Sequence, residues 1–247
     1  MLGLPDQIRA CLFDMDGVLT GTAAIHDAAW KEMFDQFLAS YDGPGASDLD
    51  RRPFDAHDDY DEYVDGKPRL DGVRDFLASR HIRLPEGSAD DSPAALSVHG
   101  LGAKKNQLVL QRIQEVGVEA YPGSVSYVRA VRAAGLRRAV VSSSSNCKDV
   151  LHAAGILELF EVIVDGHQVE REHLAGKPAP DTYLAAARLL GLEPGAAAVF
   201  EDALAGVAAG RAGGFGYVVG VDRAGQGDAL AEHGADRVVK DLSELSE

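Results

Sequence analysis

Short apolar runs recur along the chain, and they predict the strands of a buried sheet. The runs are continuous rather than alternating, which is typical of a parallel sheet covered on both faces. They lie at Arg9–Phe13, Arg138–Ser142, Val162–Val164, Ala197–Phe200 and Tyr217–Val221. Stretches with helical periodicity separate the later runs, at Ser124–Ala134, Asp181–Leu190 and Leu204–Ala212. This alternation predicts an α/β fold with a doubly wound parallel sheet.

The segment after the first strand departs from this alternation. From His26 to Ser40, apolar side chains recur at a helical spacing, which explains them as a helical core better than as a platform that stacks on a ligand ring; they are Trp30, Met33, Phe34, Phe37 and Leu38. Two more helices are predicted at Gly72–Ser79 and Lys104–Val116. The polar stretches Asp42–Asp50 and Pro85–Pro93 are rich in turn-forming residues and predict connections.

These patterns predict two domains. We expect residues 1–22 and 121–247 to form the core, and residues 23–120 to form an inserted, mostly α-helical domain. Within the insert, Asp55–Asp65 is strongly acidic. Its spacing does not supply an EF-hand loop, so we expect a solvated acidic surface there.

Charge and composition narrow the possible partners. The 247 residues include 39 acidic and 24 basic side chains, which gives a net charge of −15. Nucleic acids and anionic membranes need a basic binding surface, so neither is expected as a partner. No apolar run approaches the roughly 20 residues of a membrane helix, and the start of the chain has no export signal, so we expect a cytoplasmic protein. No feature indicates an obligate protein partner.

The two cysteines cannot form a disulfide framework. Cys11 lies inside a predicted strand, where we expect a small buried hydrophobe. Cys147 follows a run of serines and could be exposed.

Polar residues follow three of the predicted strands, at the edge where parallel sheets bind ligands. The first strand runs into Asp14-Met15-Asp16-Gly17. Two carboxylates at this spacing suit a division of labour, in which one attacks phosphorus and the other moves a proton. A divalent cation would offset their mutual repulsion. The alternative for this motif alone is an Asp-capped turn.

The second strand of the core is followed by four serines and Asn146. Ser142, Ser143 and the neighbouring backbone N–H groups could cradle a phosphate, although helix capping explains some of these hydroxyls equally well. Lys177 lies between Gly176 and Pro178, in a stiff loop that could hold a point charge beside a phosphate. A surface lysine is the alternative.

Adjacent acids, Glu201 and Asp202, end the fourth predicted strand. Hard oxygen ligands are what Mg²⁺ prefers, and we expect Asp202 as a direct ligand and Glu201 as a ligand through water. Taken singly, such acids could merely favour the start of the following helix.

The order Asp-x-Asp, Ser, Lys, Glu-Asp resembles the haloacid dehalogenase superfamily over nearly the whole chain. The resemblance implies Mg²⁺-dependent phosphoryl transfer through an aspartyl phosphate, with Asp14, Asp16 and Lys177 as catalytic residues. It also implies a phosphate site at Ser142, Ser143 and Asn146, and a metal site whose residues are Asp14, Asp16, Glu201 and Asp202.

Within that superfamily, the stretch from Asp14 to Trp30 is similar to the β-phosphoglucomutase subfamily. Thr22 and His26 match linker residues that engage the acid/base Asp, and Gly66-Lys67-Pro68-Arg69 matches a loop that meets the distal phosphate of the substrate. An Arg fork at Arg69 can bind a phosphate bidentately. The resemblance therefore implies interconversion of a β-hexose 1-phosphate and a hexose 6-phosphate, with glucose expected as the sugar.

Four features depart from the subfamily pattern. Asp65 stands where a lysine is usual, Gly72 where a serine is usual and Gly21 where an aspartate is usual, and the stretch Arg80–Gly102 is longer. A sugar-phosphate phosphatase with the same core therefore stays as an alternative. A non-catalytic phosphate-binding protein is a remote one, because such a protein has no use for a second carboxylate that repels its ligand.

Overall fold

The computed structural model describes residues 2–43 and 51–246. The predicted connection at 42–50 therefore falls largely outside the described residues. The chain divides into two compact units, one formed by Met1–Thr22 with Val118–Glu247 and the other by Ala23–Gly117.

The first unit is built on a six-stranded sheet in which every pairing is parallel. Its strand order is β3-β2-β1-β4-β5-β6. The strands are β1 (Ala10–Phe13), β2 (Arg137–Val141), β3 (Val162–Val164), β4 (Ala197–Glu201), β5 (Tyr217–Val221) and β6 (Arg237–Val239). Strands β1 and β4 are buried along their whole length, as the continuous apolar runs predict. The α/β class and the doubly wound parallel sheet are thus confirmed.

Helices connect the strands of this sheet. Those in the described residues of the first unit are α4 (Pro122–Ala133), α5 (Cys147–Ala153), α6 (Gly166–Glu172), α7 (Asp181–Leu189), α8 (Leu204–Ala212) and α9 (Gly227–Glu232). One buried cluster joins the sheet to α7 and α8, with members that include Leu12, Val199, Ala186 and Val207. The small side chains of α7 and α8 allow both helices to pack closely on the strands.

The two ends of the first unit that flank the second unit pair with each other. The Gly21 N–H donates to the Glu119 carbonyl at 2.9 Å, and the Tyr121 N–H donates to the Leu19 carbonyl at 2.9 Å. This pairing ties residues 118–120 to the first unit, so the division at Gly117 precedes the expected boundary at residue 120.

The second unit is helical. It contains α1 (Ala23–Ser40), one turn of π-helix (Tyr60–Val64), α2 (Arg69–Ser79) and α3 (Val98–Val116). The five apolar side chains expected to face its core are all buried. Their aromatic members stack with neighbours, as Trp30 does on Phe34, with ring centres 5.4 Å apart, and Phe34 on Phe54, also at 5.4 Å. The prediction that these rings form a core is confirmed.

Two sequence expectations are wrong in detail. Asp59, in the acidic stretch, is 3% exposed and pairs with the buried Arg80. A buried carboxylate needs such a partner, so Asp59 belongs to the interior of the unit and not to a solvated surface. Cys147 is buried as well, because it begins α5 with its side chain facing inward.

Among the helices of the described residues, none is both long and apolar enough to cross a lipid bilayer.

Candidate active site

The predicted site residues of the first unit meet at the carboxyl edge of the sheet. Strand β1 lies between β2 and β4, and Phe13 pairs with Val140 on one side and with Phe200 on the other. The Asp14 N–H continues the β1–β4 ladder by donating to the Phe200 carbonyl at 2.9 Å. From β1 the chain continues to β2 on one side, and from β4 it continues to β5 on the other side. The two connections therefore diverge, and the space between them is the crevice where such sheets bind ligands.

Lys177 joins two of these carboxylates. Its Nζ donates to Asp14 Oδ1 and to Glu201 Oε1, each at 2.5 Å. Lys177 and Glu201 are almost completely buried, and Asp14 is 7% exposed. Burial alone would lower the pKa of Lys177, but the carboxylates of Asp14 and Glu201 raise it well above its ordinary value. The lysine is therefore a fixed positive charge at any physiological pH.

Burial shifts the pKa of the Asp14 carboxyl group in the opposite direction. It raises the pKa of Asp14 well above its ordinary value; the Lys177 ammonium opposes that rise, and the carboxylates of Glu201 and Asp16 add to it. Burial and the neighbouring carboxylates thus disfavour the ionised form of Asp14, despite the Lys177 ammonium. A further cation beside Asp14 would favour its ionised, nucleophilic form.

Glu201 is fixed from several directions. The Tyr183 hydroxyl donates to Glu201 Oε1 at 3.0 Å, and the Ala203 N–H donates to Glu201 Oε2, also at 3.0 Å. Gly206, in α8, leaves the space for this carboxylate, because a Cβ at that position would lie 1.8 Å from Oε1. The side chain is thus held in one orientation at the end of β4.

Three acidic residues form a group with the chemistry of a divalent-cation site. Oxygen atoms of Asp14, Glu201 and Asp202 all lie within 4.8 Å of one another. Gly17 makes room for Asp202: its φ is +83°, and a Cβ there would lie 1.7 Å from Asp202 Oδ2. Hard carboxylate ligands suit Mg²⁺, and a cation bound here would offset the excess of negative charge over Lys177.

Asp16 is not a member of this acidic group. Its carboxylate accepts a hydrogen bond from the Thr22 hydroxyl. The Thr22 and Thr20 hydroxyls lie 2.7 Å apart, and Thr20 Oγ1 also donates to the Met15 carbonyl. The Thr22 hydroxyl thus orients Asp16 separately from Asp14, although the two acids are only two residues apart.

The serine loop continues β2 at the same edge. The Ser142 N–H donates to the Val164 carbonyl at 2.9 Å, which extends the sheet by one bond. Ser142 Oγ accepts from the Ser144 N–H at 3.1 Å, and Ser144 Oγ accepts from the Asn146 N–H at 3.2 Å. Two of the serines therefore shape the loop. Because a hydroxyl that accepts one hydrogen bond still carries its own proton, Ser142 can also donate to an anion. Ser143 and Asn146 are half-buried.

The second unit holds the remaining predicted residues. Arg69 begins α2, and its Nη1 donates to Asn106 Oδ1 at 2.8 Å. Lys105 Nζ lies 2.7 Å from His26 Nδ1 and 4.7 Å from the centre of the Trp30 ring. Arg69, Asn106, His26 and Lys105 thus form two polar pairs within this unit.

Lys67 and Gly66 lie in the turn before α2. Gly66 has a φ of +69°, a left-handed conformation that favours glycine. Lys67 Nζ is bound to Asp75 Oδ2 at 2.7 Å and to the Glu62 carbonyl at 3.0 Å. Gly72 is buried, and a Cβ there would lie 3.4 Å from the Trp30 ring.

The sequence did not single out Tyr183 or Thr20 as parts of the site. Tyr183 is one of several apolar positions of α7, and Thr20 reads as part of a turn. No linear signal marks either residue, because each acts through a contact that only the folded chain makes.

One class of α/β enzymes binds ligands beyond the ends of the parallel strands. The sheet of this protein has the features of that class, which are its strand order and the acids and lysine at its carboxyl edge. A family profile described as haloacid dehalogenase-like hydrolase matches residues 8–214. The chain belongs to this family.

Individual relatives agree with that assignment. The chain is 54% identical to a β-phosphoglucomutase of Mycobacterium bovis, an alignment that covers 99% of this chain and 94% of the relative. It is 28% identical to hexitol phosphatase A of Escherichia coli, with 97% and 94% covered. The crystal structure of CbbY from Rhodobacter sphaeroides in complex with phosphate superposes with a TM-score of 0.69 at 25% identity, with 96% of each chain covered. Mutases and phosphatases thus share this family.

Proposed function

We propose that this protein is a Mg²⁺-dependent β-phosphoglucomutase that interconverts β-glucose 1-phosphate and glucose 6-phosphate. The observation that carries the proposal is the 54% identity to a β-phosphoglucomutase over 99% of this chain. We also propose the cytoplasm as the compartment of the reaction. In this proposal the first unit is the catalytic domain, and Ala23–Gly117 is its cap.

Asp14 is the nucleophile and Asp16 is the general acid and base. The phosphorylated Asp14 gives its phosphoryl group to the free hydroxyl of the sugar while Asp16 takes the proton of that hydroxyl, which yields a sugar bisphosphate. Asp14 then attacks the other phosphate; the bond from that phosphorus to the sugar oxygen breaks, and Asp16 returns the proton to this oxygen. Asp16 accepts a hydrogen bond from the Thr22 hydroxyl, which holds it apart from Asp14. This contact supports the role of Asp16 as general acid and base.

The remaining residues of the first unit bind the phosphoryl group as it moves. Lys177 supplies a permanent positive charge next to Asp14. Ser142, Ser143 and Asn146 supply donors from the loop after β2. Charge that develops on the phosphoryl oxygens meets donors whose positions are already fixed, which is usually the largest part of a catalytic effect.

Asp14, Asp202 and Glu201 would hold the magnesium ion. Asp16, the fourth acid that the sequence nominates for the metal site, lies outside this group, and we give it the acid/base role instead. The ion, when bound, neutralises phosphoryl oxygens and the excess negative charge of the site. Glu201 is engaged by Lys177 and Tyr183, so its contribution is through a water molecule or through its charge.

In the second unit, we propose that Arg69 binds the distal phosphate, with His26, Gly66 and Lys67 beside the sugar. Asp65 and Gly72 stand where the subfamily has a lysine and a serine, so the contribution of those two side chains to substrate binding would be missing here. Lys67 does not simply take the place of the missing lysine, because its Nζ is engaged by Asp75 within the same unit.

The experiment that tests this proposal measures where the phosphate goes. The protein is incubated with Mg²⁺, β-glucose 1-phosphate and a trace of glucose 1,6-bisphosphate, and phosphorus NMR follows the products. A mutase forms glucose 6-phosphate in large excess over free phosphate, and we expect this result. Free phosphate without glucose 6-phosphate would identify a phosphatase, and no turnover of either kind would contradict both assignments.

A further inference from the structure

One loop of the first unit holds the backbone on both sides of the acidic group. The loop, residues 222–226, follows β5 and is called the β5 loop below. Arg223 Nε donates to the Gly17 carbonyl at 3.0 Å, and Gln226 Nε2 donates to the Asp202 carbonyl at 3.1 Å. Gly17 belongs to the segment after β1 and Asp202 to the segment after β4. Two side chains of the β5 loop are therefore anchored to the two segments that supply Asp14 and Asp202.

Arg223 is itself held firmly. Its Nη1 donates to the Lys240 carbonyl at 2.8 Å and pairs with Asp241 Oδ2 at 3.2 Å. Its guanidinium carbon lies 3.9 Å from the centre of the Tyr121 ring, a close cation–π contact. The hydrogen bonds of Nη1 and the contact with the Tyr121 ring thus fix the orientation in which Nε of Arg223 meets Gly17 O.

The β5 loop has a fixed shape. Asp222 Oδ1 accepts hydrogen bonds from the Gly225 N–H at 2.7 Å and from the Gln226 N–H at 2.8 Å. Gly225 has a φ of +82°, which allows the chain to turn back at this point. A loop closed in this way can transmit a constraint from Arg223 to Gln226.

The segments that the β5 loop joins also touch each other directly. Gly17 lies so close to Asp202 that a Cβ would meet Oδ2 at 1.7 Å. A small shift of the Gly17 peptide would therefore displace the carboxylate of Asp202. The anchors at Gly17 O and Asp202 O restrict this shift from both sides.

We propose that Arg223 and Gln226 are positioning residues for the divalent-cation site. They hold the segments after β1 and β4 at the separation at which the carboxylates of Asp14 and Asp202 bind one ion. This inference rests on the proposed function only in taking these acids as metal ligands, and it requires neither a particular sugar nor a mutase. Groups of this kind, one step removed from the ligands, commonly govern metal affinity.

Two variants and two matched controls test the proposal. Arg223→Lys keeps the charge and loses the planar fork of donors, and Gln226→Leu removes the donor at similar size. Arg211→Lys is the control for the first, because Arg211 is exposed and pairs only loosely with Asp236, at 3.7 Å. Gln36→Leu is the control for the second, because Gln36 is exposed on α1. The full chain is used throughout.

The main readout is the dissociation constant of Mn²⁺, measured on the metal-free protein by the loss of the free-ion signal in electron paramagnetic resonance. We expect each variant to bind Mn²⁺ about tenfold more weakly, with the controls within about twofold of the unchanged protein. The KM for Mg²⁺ should rise in parallel, while kcat at saturating Mg²⁺ stays within about threefold.

The melting temperature in EDTA separates positioning from simple stability. A purely structural role would lower this temperature and leave the Mn²⁺ constant of the folded protein unchanged. Unchanged Mn²⁺ binding in both variants, or an equal change in the controls, overturns the proposal. If Arg223→Lys fails to fold, Gln226→Leu still decides. If the protein lacks mutase activity but the Mn²⁺ constants change as stated, the proposed function fails and this inference stands.

Discussion

At the scale of single residues, the placement of Lys177 has the largest consequences. It is one lysine between two buried carboxylates, and both hydrogen bonds are 2.5 Å long. Burying these charges costs desolvation free energy, which only good geometry offsets. The arrangement of Lys177 between the two carboxylates is therefore better explained by function than by stability. Thr22 has a comparable local role toward Asp16, and it can be tested without disturbing the buried charges.

Thr22→Val removes the hydroxyl that donates to Asp16 while keeping the side-chain shape. We expect kcat for the mutase reaction to fall about tenfold, because Asp16, the proposed general acid and base, loses its orientation. Thr22→Ser restores the donor and should recover most of the activity. Steady-state kinetics with saturating Mg²⁺ check this result. Equal kcat values for the valine variant and the unchanged protein would contradict the role of Thr22.

Cys147 provides a prediction about pH. Burial raises the pKa of its thiol well above its ordinary value, and the carboxylates of Asp16 and Asp14 add to the rise. The native thiol should therefore resist alkylation by iodoacetamide at pH 8, whereas the unfolded chain reacts readily.

The same shift has a consequence for stability. Above about pH 8.5 the cysteine of the unfolded chain ionises while the buried one keeps its proton, so the free energy of unfolding falls as pH rises. Cys147→Ala should reduce this alkaline loss of stability, which chemical denaturation at pH 7 and pH 10 measures. Rapid alkylation of the native protein at Cys147 would show that the thiol is accessible.

At the scale of elements, α8 illustrates how local preference and packing compete. Gly206 lies inside this helix, where alanine is ordinarily more favourable by about 1 kcal/mol. A Cβ at this position, however, would lie 1.8 Å from Glu201 Oε1. We expect Gly206→Ala to destabilise the protein and to lower activity strongly, because Glu201 must leave its contacts with Lys177 and Tyr183.

Gly195→Ala is the matched control for that variant. Nothing lies within 4 Å of a Cβ at Gly195, and we expect almost no effect on stability or activity. Thermal unfolding and kcat are measured for both variants. A stabilised and fully active Gly206→Ala protein would mean that helix propensity outweighs the steric contact.

The long elements could be predicted from the sequence, but several of the short ones could not. Five strands and the main helices follow from their hydrophobic patterns; β3, β5 and α8 have the predicted boundaries, and the others are shifted by at most six residues. The largest shift is at α3, which begins at Val98 with Ser97 as its N-cap, before the predicted start at Lys104. Gly100 and Gly102 obscure the helical pattern there. Strand β6 was missed because it has three residues and begins with Arg237; α5, α6 and α9 are too short to show periodicity.

The residues of the site also divide into those that could be predicted from the sequence and those that could not. Asp14, Ser142, Lys177, Glu201 and Asp202 could be nominated because each directly follows a strand or precedes a helix. Tyr183, Arg223 and Gln226 could not, because their relevance depends on which carbonyl or carboxylate they reach in the folded chain. Gly206 is similar, since a glycine in a helix does not reveal which atom occupies the space beside it.

At the scale of the whole molecule, the two units have separate cores. The second unit is one continuous segment, Ala23–Gly117, and its buried aromatic and aliphatic side chains form a cluster of their own. We expect a fragment of residues 23–117 to fold alone, with a helical circular-dichroism spectrum and a cooperative thermal transition. A fragment without a cooperative transition would show that its core depends on the rest of the chain.

The net charge is also a property of the whole molecule. At −15, the protein repels anions at long range, so a phosphorylated substrate depends on local cations in the first unit, namely Lys177 and the proposed metal ion. Phosphoryl transfer through Asp14 is the claim that unites these features.

The measurement that tests this claim most directly follows a labelled phosphoryl group. Radiolabelled glucose 1,6-bisphosphate is mixed with unlabelled β-glucose 1-phosphate, Mg²⁺ and protein. A phosphoenzyme at Asp14 exchanges phosphoryl groups between sugar molecules, so the label should enter the hexose monophosphates, and Asp14→Asn should abolish this exchange. Label that remains in the bisphosphate while glucose 6-phosphate accumulates, or exchange that persists in Asp14→Asn, would contradict the account.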